Sequence, residues 1–135
     1  MRPIPVGAKG TYMLRVTPAH LANQFKDAAL PKVFATPMMV TAMENAALNA
    51  VRSYLDAGES AVGTAVNIRH LAATPAGHRV TAEAEVTKVD GRRIEFKVSA
   101  RDEIEEIGNG THERMVVDMA RIDQRLQAKK PGTVA

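Results

Sequence analysis

The sequence predicts an α+β fold in which an antiparallel sheet packs against one long helix. Apolar residues first recur at spacings of three and four, from position 36 to about position 57, which is the period of an amphipathic helix. Beyond Gly58 the period changes to two and is kept through four segments separated by short turns. Each segment has one apolar and one polar face, as is typical of antiparallel strands.

The elements follow in order along the chain. Residues 11–16 predict a first strand, and residues 19–35 a loop with one helical turn. Thr36–Pro37 signals the start of the long helix, because Thr is a good N-cap and Pro has a backbone angle suited to a first turn. The apolar positions of the helix are Val40, Met43, Ala47, Val51 and Leu55, and Gly58 marks its end.

The alternating segments predict strands at residues 62–70, 80–87, 94–101 and about 108–118. Asp90–Gly91 has the composition of a two-residue hairpin turn. Residues 119–128 can form a terminal helix. A single long helix is available to cover the dry face of the sheet, so the economical solution is a curved sheet wrapped around that helix, which is the hot-dog architecture.

The length of 135 residues fits one domain, predicted over residues 1–135 with an ordered core at about 10–128. The exposed sheet edges and thin core of such a domain predict at least a dimer, with sheets joined edge to edge.

Composition excludes several kinds of function. The chain has no Cys, which rules out disulfides and thiolate chemistry, and no segment has the pattern of a signal peptide or a membrane span. We therefore expect a cytoplasmic protein with no membrane partner. The net charge of +3 favours anionic partners. Scattered basic residues and few aromatic residues argue against nucleic acid.

Glu44 is the one formal charge in the stretch VFATPMMVTAMENAALNAV, residues 33–51. It shares a helix face with Val40, Leu48 and Val51, and no Lys or Arg lies one turn away to pair with it. A Glu at the margin of an apolar stripe can simply reach water. A carboxylate in an apolar wall can also serve as a base or nucleophile. The residues alone leave both readings open.

His70 raises a similar question, because it falls in register with the apolar Val62, Val66 and Ile68 of its strand. A lone buried His is more often a hydrogen-bonded core residue than a catalyst. If His70 met Glu44, however, the two would form an acid/base pair. His112 is predicted out of register with its apolar neighbours Met115 and Val117, and no His and carboxylates have metal-ligand spacing.

Three stretches together resemble the fluoroacetyl-CoA thioesterase family of hot-dog proteins: VFATPMMVTAMENAALNAV, VGTAVNIRHLAATPAGHRVTAEAEVTKVDGRRIEF and GNGTHERMVVD. The similarity covers about residues 11–127. It implies a catalytic set of Thr36, Glu44 and His70, with Gly63 and Arg114 in contact with the substrate.

The resemblance further implies acyl-CoA hydrolysis in a homodimer, or a dimer of dimers, with each site between subunits and no cofactor or metal. Glu44 would attack the thioester or activate water, His70 would shuttle protons, and Thr36 would orient the carboxylate or the carbonyl. The fluoroacetyl-specific enzyme carries aromatic gating residues upstream of its helix, whereas this chain has Leu30 there. A small or medium acyl group is therefore expected instead of fluoroacetyl.

Two alternatives are an enoyl-thioester hydratase and a non-catalytic acyl-CoA-binding or sensor protein on the same fold. The first would add water without releasing CoA. The second would bind thioesters without turnover and would not need Glu44 or His70.

Overall fold

A computed structural model describes residues 1–132, and its elements follow the predicted order. The strands are β1 (Lys9–Arg15), β2 (Glu59–His70), β3 (Arg79–Asp90), β4 (Arg93–Arg101) and β5 (Glu106–Asp118). The helices are α1 (Ala22–Phe25), α2 (Thr36–Val51) and α3 (Met119–Ala128), and short 3-10 turns lie at Pro18–His20 and Arg52–Tyr54.

The five strands form one antiparallel sheet in the order β1-β3-β4-β5-β2. β1 and β2 are therefore the two edge strands. Asp90 pairs with Arg93 across the β3–β4 hairpin, so the turn is Gly91–Arg92, one residue later than predicted. Gly91 has a φ of 60°, which a residue without a Cβ adopts without strain.

The core lies between α2 and the inner face of the sheet. Small side chains let the helix approach closely: Ala42, Ala46 and Ala47 are fully buried. On the strand side, a Cβ at Gly10 would overlap the backbone of Ala46 and Ala50. The inward residues of β3 and β4 are those that the alternation predicted, namely Val80, Ala82, Ala84 and Val86, and Ile94, Phe96, Val98 and Ala100.

Helix α2 is shorter than predicted. It ends at Val51 instead of about residue 57, tightens into the 3-10 turn Arg52–Tyr54, and gives way to an extended Leu55 with φ −84° and ψ 143°. Such tightening is a common way to end a helix. The apolar repeat at Leu55 belongs to this turn and the chain that follows it.

The faces of β2 and β5 differ from the prediction. A bulge between Gly63 and Ala65 shifts the alternation of β2, so the side chains of Val62 and Val66 lie on opposite faces of the sheet. Their exposed fractions are 40% and 41%. From residue 111 to the end of β5 the buried residues are His112, Arg114 and Val116, not the predicted Met115 and Val117. Two polar residues on the inner face concealed the true register from a hydrophobic pattern.

Within residues 1–132, no helix combines the length and the apolar character needed to cross a bilayer.

Candidate active site

Thr36 and His70 meet at one end of the sheet, where α2 begins and β2 ends. The Thr36 hydroxyl lies 2.7 Å from His70 Nδ1. The prediction that Thr36 caps the helix is wrong: the N-cap is Ala35, and no side chain caps this end. The Thr36 hydroxyl is therefore committed to the imidazole and not to the helix.

The ring of His70 is partly removed from water. Its Nε2 atom is buried and has no hydrogen-bond partner among residues 1–132. Burial lowers the pKa of His70, and the nearby backbone of Ala72 offsets part of this shift. The imidazole is thus mainly neutral at pH 7, a state in which it can accept a proton. Thr36 and His70 line an open concavity with Val33, Leu71, Ala72 and Ala73.

Glu44 lies in a second cluster, further along α2, which faces β2 and β5. Its carboxylate Oε2 is 3.8 Å from Arg114 Nη1, and its side chain is 37% exposed. No residue one helical turn away can pair with Glu44, and its cationic partner comes instead from β5. A Cβ at Gly63 would lie 2.5 Å from Oε2, so this carboxylate rests against the backbone of β2 at a residue without a side chain.

Arg114 is buried and is held on several sides by protein groups. Its Nε and Nη2 atoms donate to the Ala61 carbonyl at 3.1 and 2.6 Å. Nη1 donates to the Glu44 backbone carbonyl at 3.3 Å and lies 3.1 Å from His112 Nε2. Burial lowers the pKa of Arg114 and the Glu44 carboxylate opposes that shift, so the guanidinium remains charged.

His112 belongs to the same cluster, although the sequence analysis placed it out of register. It is 3% exposed, its Nδ1 lies 2.8 Å from the Ala65 carbonyl, and its ring stacks on Phe96 with centroids 5.7 Å apart. Burial is the main cause that lowers its pKa. The spacing of His112, Arg114 and Val116 at alternate positions could have shown that the two polar residues share the inner face.

The chain does not bring all the predicted residues together. Thr36 and His70 form one pair, while Glu44, Gly63, His112 and Arg114 form the other cluster, named the Glu44 cluster below. Eight residues of helix separate Thr36 from Glu44, a rise of roughly 12 Å. A glutamate side chain cannot span that distance.

No group of three or more His, Asp or Glu side chains within residues 1–132 has the arrangement of a metal site.

Comparison with known proteins identifies the family. The sequence model of the family of fluoroacetyl-CoA-specific thioesterases matches residues 16–120. The chain is also 46% identical over 105 residues to the fluoroacetyl-CoA thioesterase of Streptantibioticus cattleyicolor, an alignment that covers 78% of this chain and 76% of that protein. The chain belongs to this thioesterase family.

Solved structures agree with the assignment. A variant of the fluoroacetyl-CoA thioesterase in complex with acetyl-CoA superposes with a TM-score of 0.90 at 39% identity, over 94% of this chain and 99% of that one. A hot-dog-like protein from Thermanaerovibrio acidaminovorans, 24% identical, shares the fold with a TM-score of 0.84 over 96% and 95% of the two chains. The predictions of a hot-dog fold and of a thioester hydrolase are confirmed, and the hydratase and sensor alternatives are disfavoured.

Proposed function

We propose that this thioesterase hydrolyses a small or medium acyl-CoA to the free acid and CoA, and that Thr36, Glu44 and His70 carry the reaction. The observation that supports this most directly is the bond between the Thr36 hydroxyl and His70 Nδ1. It orients an imidazole that is mainly neutral at pH 7, the state required of a proton shuttle. The related enzyme whose structure contains acetyl-CoA supports the class of substrate.

Each residue then has a chemical role. The Glu44 carboxylate attacks the thioester carbonyl or removes a proton from the attacking water. The neutral His70 accepts the proton that water gives up as the acyl group is hydrolysed, and passes it to the departing CoA thiolate. Thr36 holds the His70 ring, because its hydroxyl contacts the imidazole; the predicted role is to orient the carboxylate or the carbonyl. The Thr36 N–H at the start of α2 can stabilise the oxyanion, since Pro37 has no N–H and the next two N–H groups of the helix donate to the Ala35 carbonyl.

We further propose that the active enzyme is a homodimer in which each site combines the Thr36–His70 pair of one subunit with the Glu44 cluster of the other. Both clusters lie along β2, an edge strand with exposed Val62 and Val66. Antiparallel pairing of two β2 strands would bring the His70 end of one strand towards the Gly63 region of its partner. The distance of roughly 12 Å between the clusters of one chain supports this arrangement.

Leu30 suggests the acyl group. It is 37% exposed in the segment before α2, where the resemblance leads us to expect an aromatic gate. Phe25, in the same segment, is 50% exposed, and Phe34 is fully buried in the core. An aliphatic Leu30 favours an acyl-CoA without fluorine selectivity. No cofactor is needed for this reaction, and we expect it to take place in the cytoplasm.

The activity is tested by thiol release from acyl-CoA substrates of increasing length. We expect Glu44→Gln to lower kcat by at least about 100-fold, because the amide can neither attack nor remove a proton. The amide keeps the volume of the carboxylate, so the folded protein should be unchanged by circular dichroism. A folded Glu44→Gln protein with full activity would refute the role of Glu44.

The role of Thr36 is tested by two variants that differ in the hydroxyl. Thr36→Ser keeps the bond to His70 and should retain activity within severalfold. Thr36→Val keeps the shape without the hydroxyl, and we expect it to lower kcat by roughly one to two orders of magnitude through a misplaced imidazole. Equal kcat values for the two variants would show that the hydroxyl is not used.

Direct attack and water activation are separated by one turnover in ¹⁸O-labelled water. Label that enters Glu44, found by mass spectrometry of its peptide after that turnover, marks a covalent acyl intermediate hydrolysed at the glutamyl carbon. Label confined to the product acid, together with no Glu44 hydroxamate when the turnover is quenched with hydroxylamine, marks water as the nucleophile.

A further inference from the structure

We propose that His112 is a positioning residue that holds the Arg114 guanidinium against Glu44. The inference rests on the proposed function, because His112 acts through Glu44 and touches no reacting atom. It concerns a buried histidine to which the reaction, as described above, gives no role.

The hydrogen-bond partners determine the state of the His112 ring. The His112 Nε2 atom lies 3.1 Å from Arg114 Nη1. Because the guanidinium has only N–H donors, Nε2 must be the acceptor of this hydrogen bond. Nδ1 then carries the proton and donates it to the Ala65 carbonyl at 2.8 Å. The ring is neutral, with the proton on Nδ1, and both neighbours select this tautomer.

Packing fixes the orientation of the ring. Phe96 of β4 stacks on it at an interplanar angle of 25°, and the residue is 3% exposed. The Ala65 carbonyl follows the bulge of β2, where the strand's register shifts between Gly63 and Ala65. The bulge therefore lies beside both the carbonyl that His112 contacts and the glycine that makes room for Glu44.

One nitrogen atom links the histidine to the carboxylate. Ala61 takes the Nε and Nη2 atoms of Arg114, which leaves Nη1 for Glu44 and His112. Nη1 donates to the Glu44 backbone carbonyl at 3.3 Å and lies 3.8 Å from the carboxylate. Without the acceptor at His112, Nη1 would keep only its two contacts with Glu44, and the guanidinium would be free to turn away from the carboxylate.

Protonation of His112 would have the same effect, because Nε2–H would then point at a cation. The charged groups that act on the ring are Arg114 and Glu113 on β5 and Glu44 on α2. Arg114 opposes a positive charge on the ring, whereas the two carboxylates favour it.

Two variants separate the two hydrogen bonds of the ring. His112→Gln places an amide oxygen where Nε2 was and keeps an acceptor for Arg114. His112→Asn places its amide near the Nδ1 position and keeps only the contact with Ala65. Both lose the stacking on Phe96, so they are matched in that respect.

We expect His112→Gln to stay within threefold of the wild-type kcat and His112→Asn to fall by about tenfold or more, with similar KM and thermal stability. Equal kcat values, or the reverse order, would overturn the proposal. Glu44→Gln, assayed in parallel, tests the proposed function separately. If it is inactive while His112→Asn is fully active, the positioning role fails and the role of Glu44 remains supported.

The tautomer of His112 can also be measured directly in the wild-type protein, which tests the proposal even if the variants do not fold. Long-range ¹H–¹⁵N spectra distinguish the two neutral tautomers of each histidine, and the His112 signals are those absent from the His112→Gln spectrum. If that variant does not fold, the ring is assigned through its contacts with Phe96. We expect His112 to carry its proton on Nδ1 at pH 7. A proton on Nε2, or on both nitrogens, would exclude the contact with Arg114 and overturn the proposal.

Discussion

Gly63 shows how one missing side chain shapes the site at the scale of the residue. A Cβ there would lie 2.5 Å from Glu44 Oε2 and 3.4 Å from His112 Cε1. The carboxylate can approach the β2 backbone because this position is glycine. The predicted substrate contact of Gly63 remains a prediction, and the geometry adds a second function for it, which is to make room for Glu44.

We predict that Gly63→Ala lowers kcat by at least about tenfold, because the new methyl group displaces the Glu44 carboxylate from its position. The free energy of unfolding should change little, since that side chain is partly exposed and can swing outward. Thiol-release kinetics and urea denaturation measure the two effects. Ser60→Ala, in the same strand, is the matched control, and an active Gly63→Ala enzyme would contradict the prediction.

At the scale of the element, the packing of α2 on β1 depends on small residues on both sides. The helix presents Ala46 and Ala50, and the strand presents Gly10. Asn49 adds a hydrogen bond of 2.8 Å from its side chain to the Thr11 carbonyl. This close approach positions the helix that carries both Thr36 and Glu44.

We predict that Gly10→Ala destabilises the protein by about 1–3 kcal/mol, because its Cβ would overlap the backbone of α2, which cannot rotate away as a side chain can. Urea denaturation measures the change. Thr11→Ala, at an exposed neighbouring position, should cost less than about 0.5 kcal/mol. Equal stability of Gly10→Ala and wild type would show that the helix shifts without cost.

At the scale of the whole molecule, the proposed division of each site between two subunits implies that inactive subunits can complement each other. In a mixed dimer of Glu44→Ala and His70→Ala subunits, one site receives Thr36 and His70 from the first subunit and Glu44 from the second. That site is intact, and the other site lacks both groups.

We predict that refolding the two inactive variants together in equal amounts restores about one quarter of the wild-type activity, since half of the dimers are mixed and each has one working site. Each variant refolded alone is the control. If no activity returns although mass spectrometry shows mixed dimers, each site is built within one chain.

The pH dependence of stability also belongs to the whole molecule. Burial lowers the pKa of His70 and of His112 in the folded state. As the pH falls below about 6.5, these two rings therefore bind protons in the unfolded chain before they do so in the folded chain. Stability is therefore lost as the pH falls through that value towards the folded pKa values. The pKa values of Asp56, Glu59 and Asp102 are lowered as well, but from acidic values, so these groups act at lower pH.

We predict that the urea midpoint decreases between pH 7.5 and pH 5.5 at a fixed protein concentration. His112→Gln should reduce this slope, because it removes one of the two titrating rings. A midpoint that stays constant over this range in the wild type would contradict the assigned burial of both rings.

The sequence by itself determined the order and type of the elements and, through the family resemblance, pointed to Thr36, Glu44 and His70. Helical and strand periods are local properties, so each segment carries its own signal. The sequence could not determine the partners of these residues. Arg114 meets Glu44 across a separation of 70 residues, and that contact depends on the register of β5 against α2.

Only the tertiary structure decided which faces look inward and which side chains meet. The bulge after Gly63 adds one residue to β2 and changes the face of every residue beyond it, a shift that an alternating pattern does not reveal. The inner face of β5 carries His112 and Arg114, whose burial is possible because they bond to Ala65, Ala61 and each other. A hydrophobic pattern alone predicts such polar residues to be exposed, because it carries no information about hydrogen-bond partners on other elements.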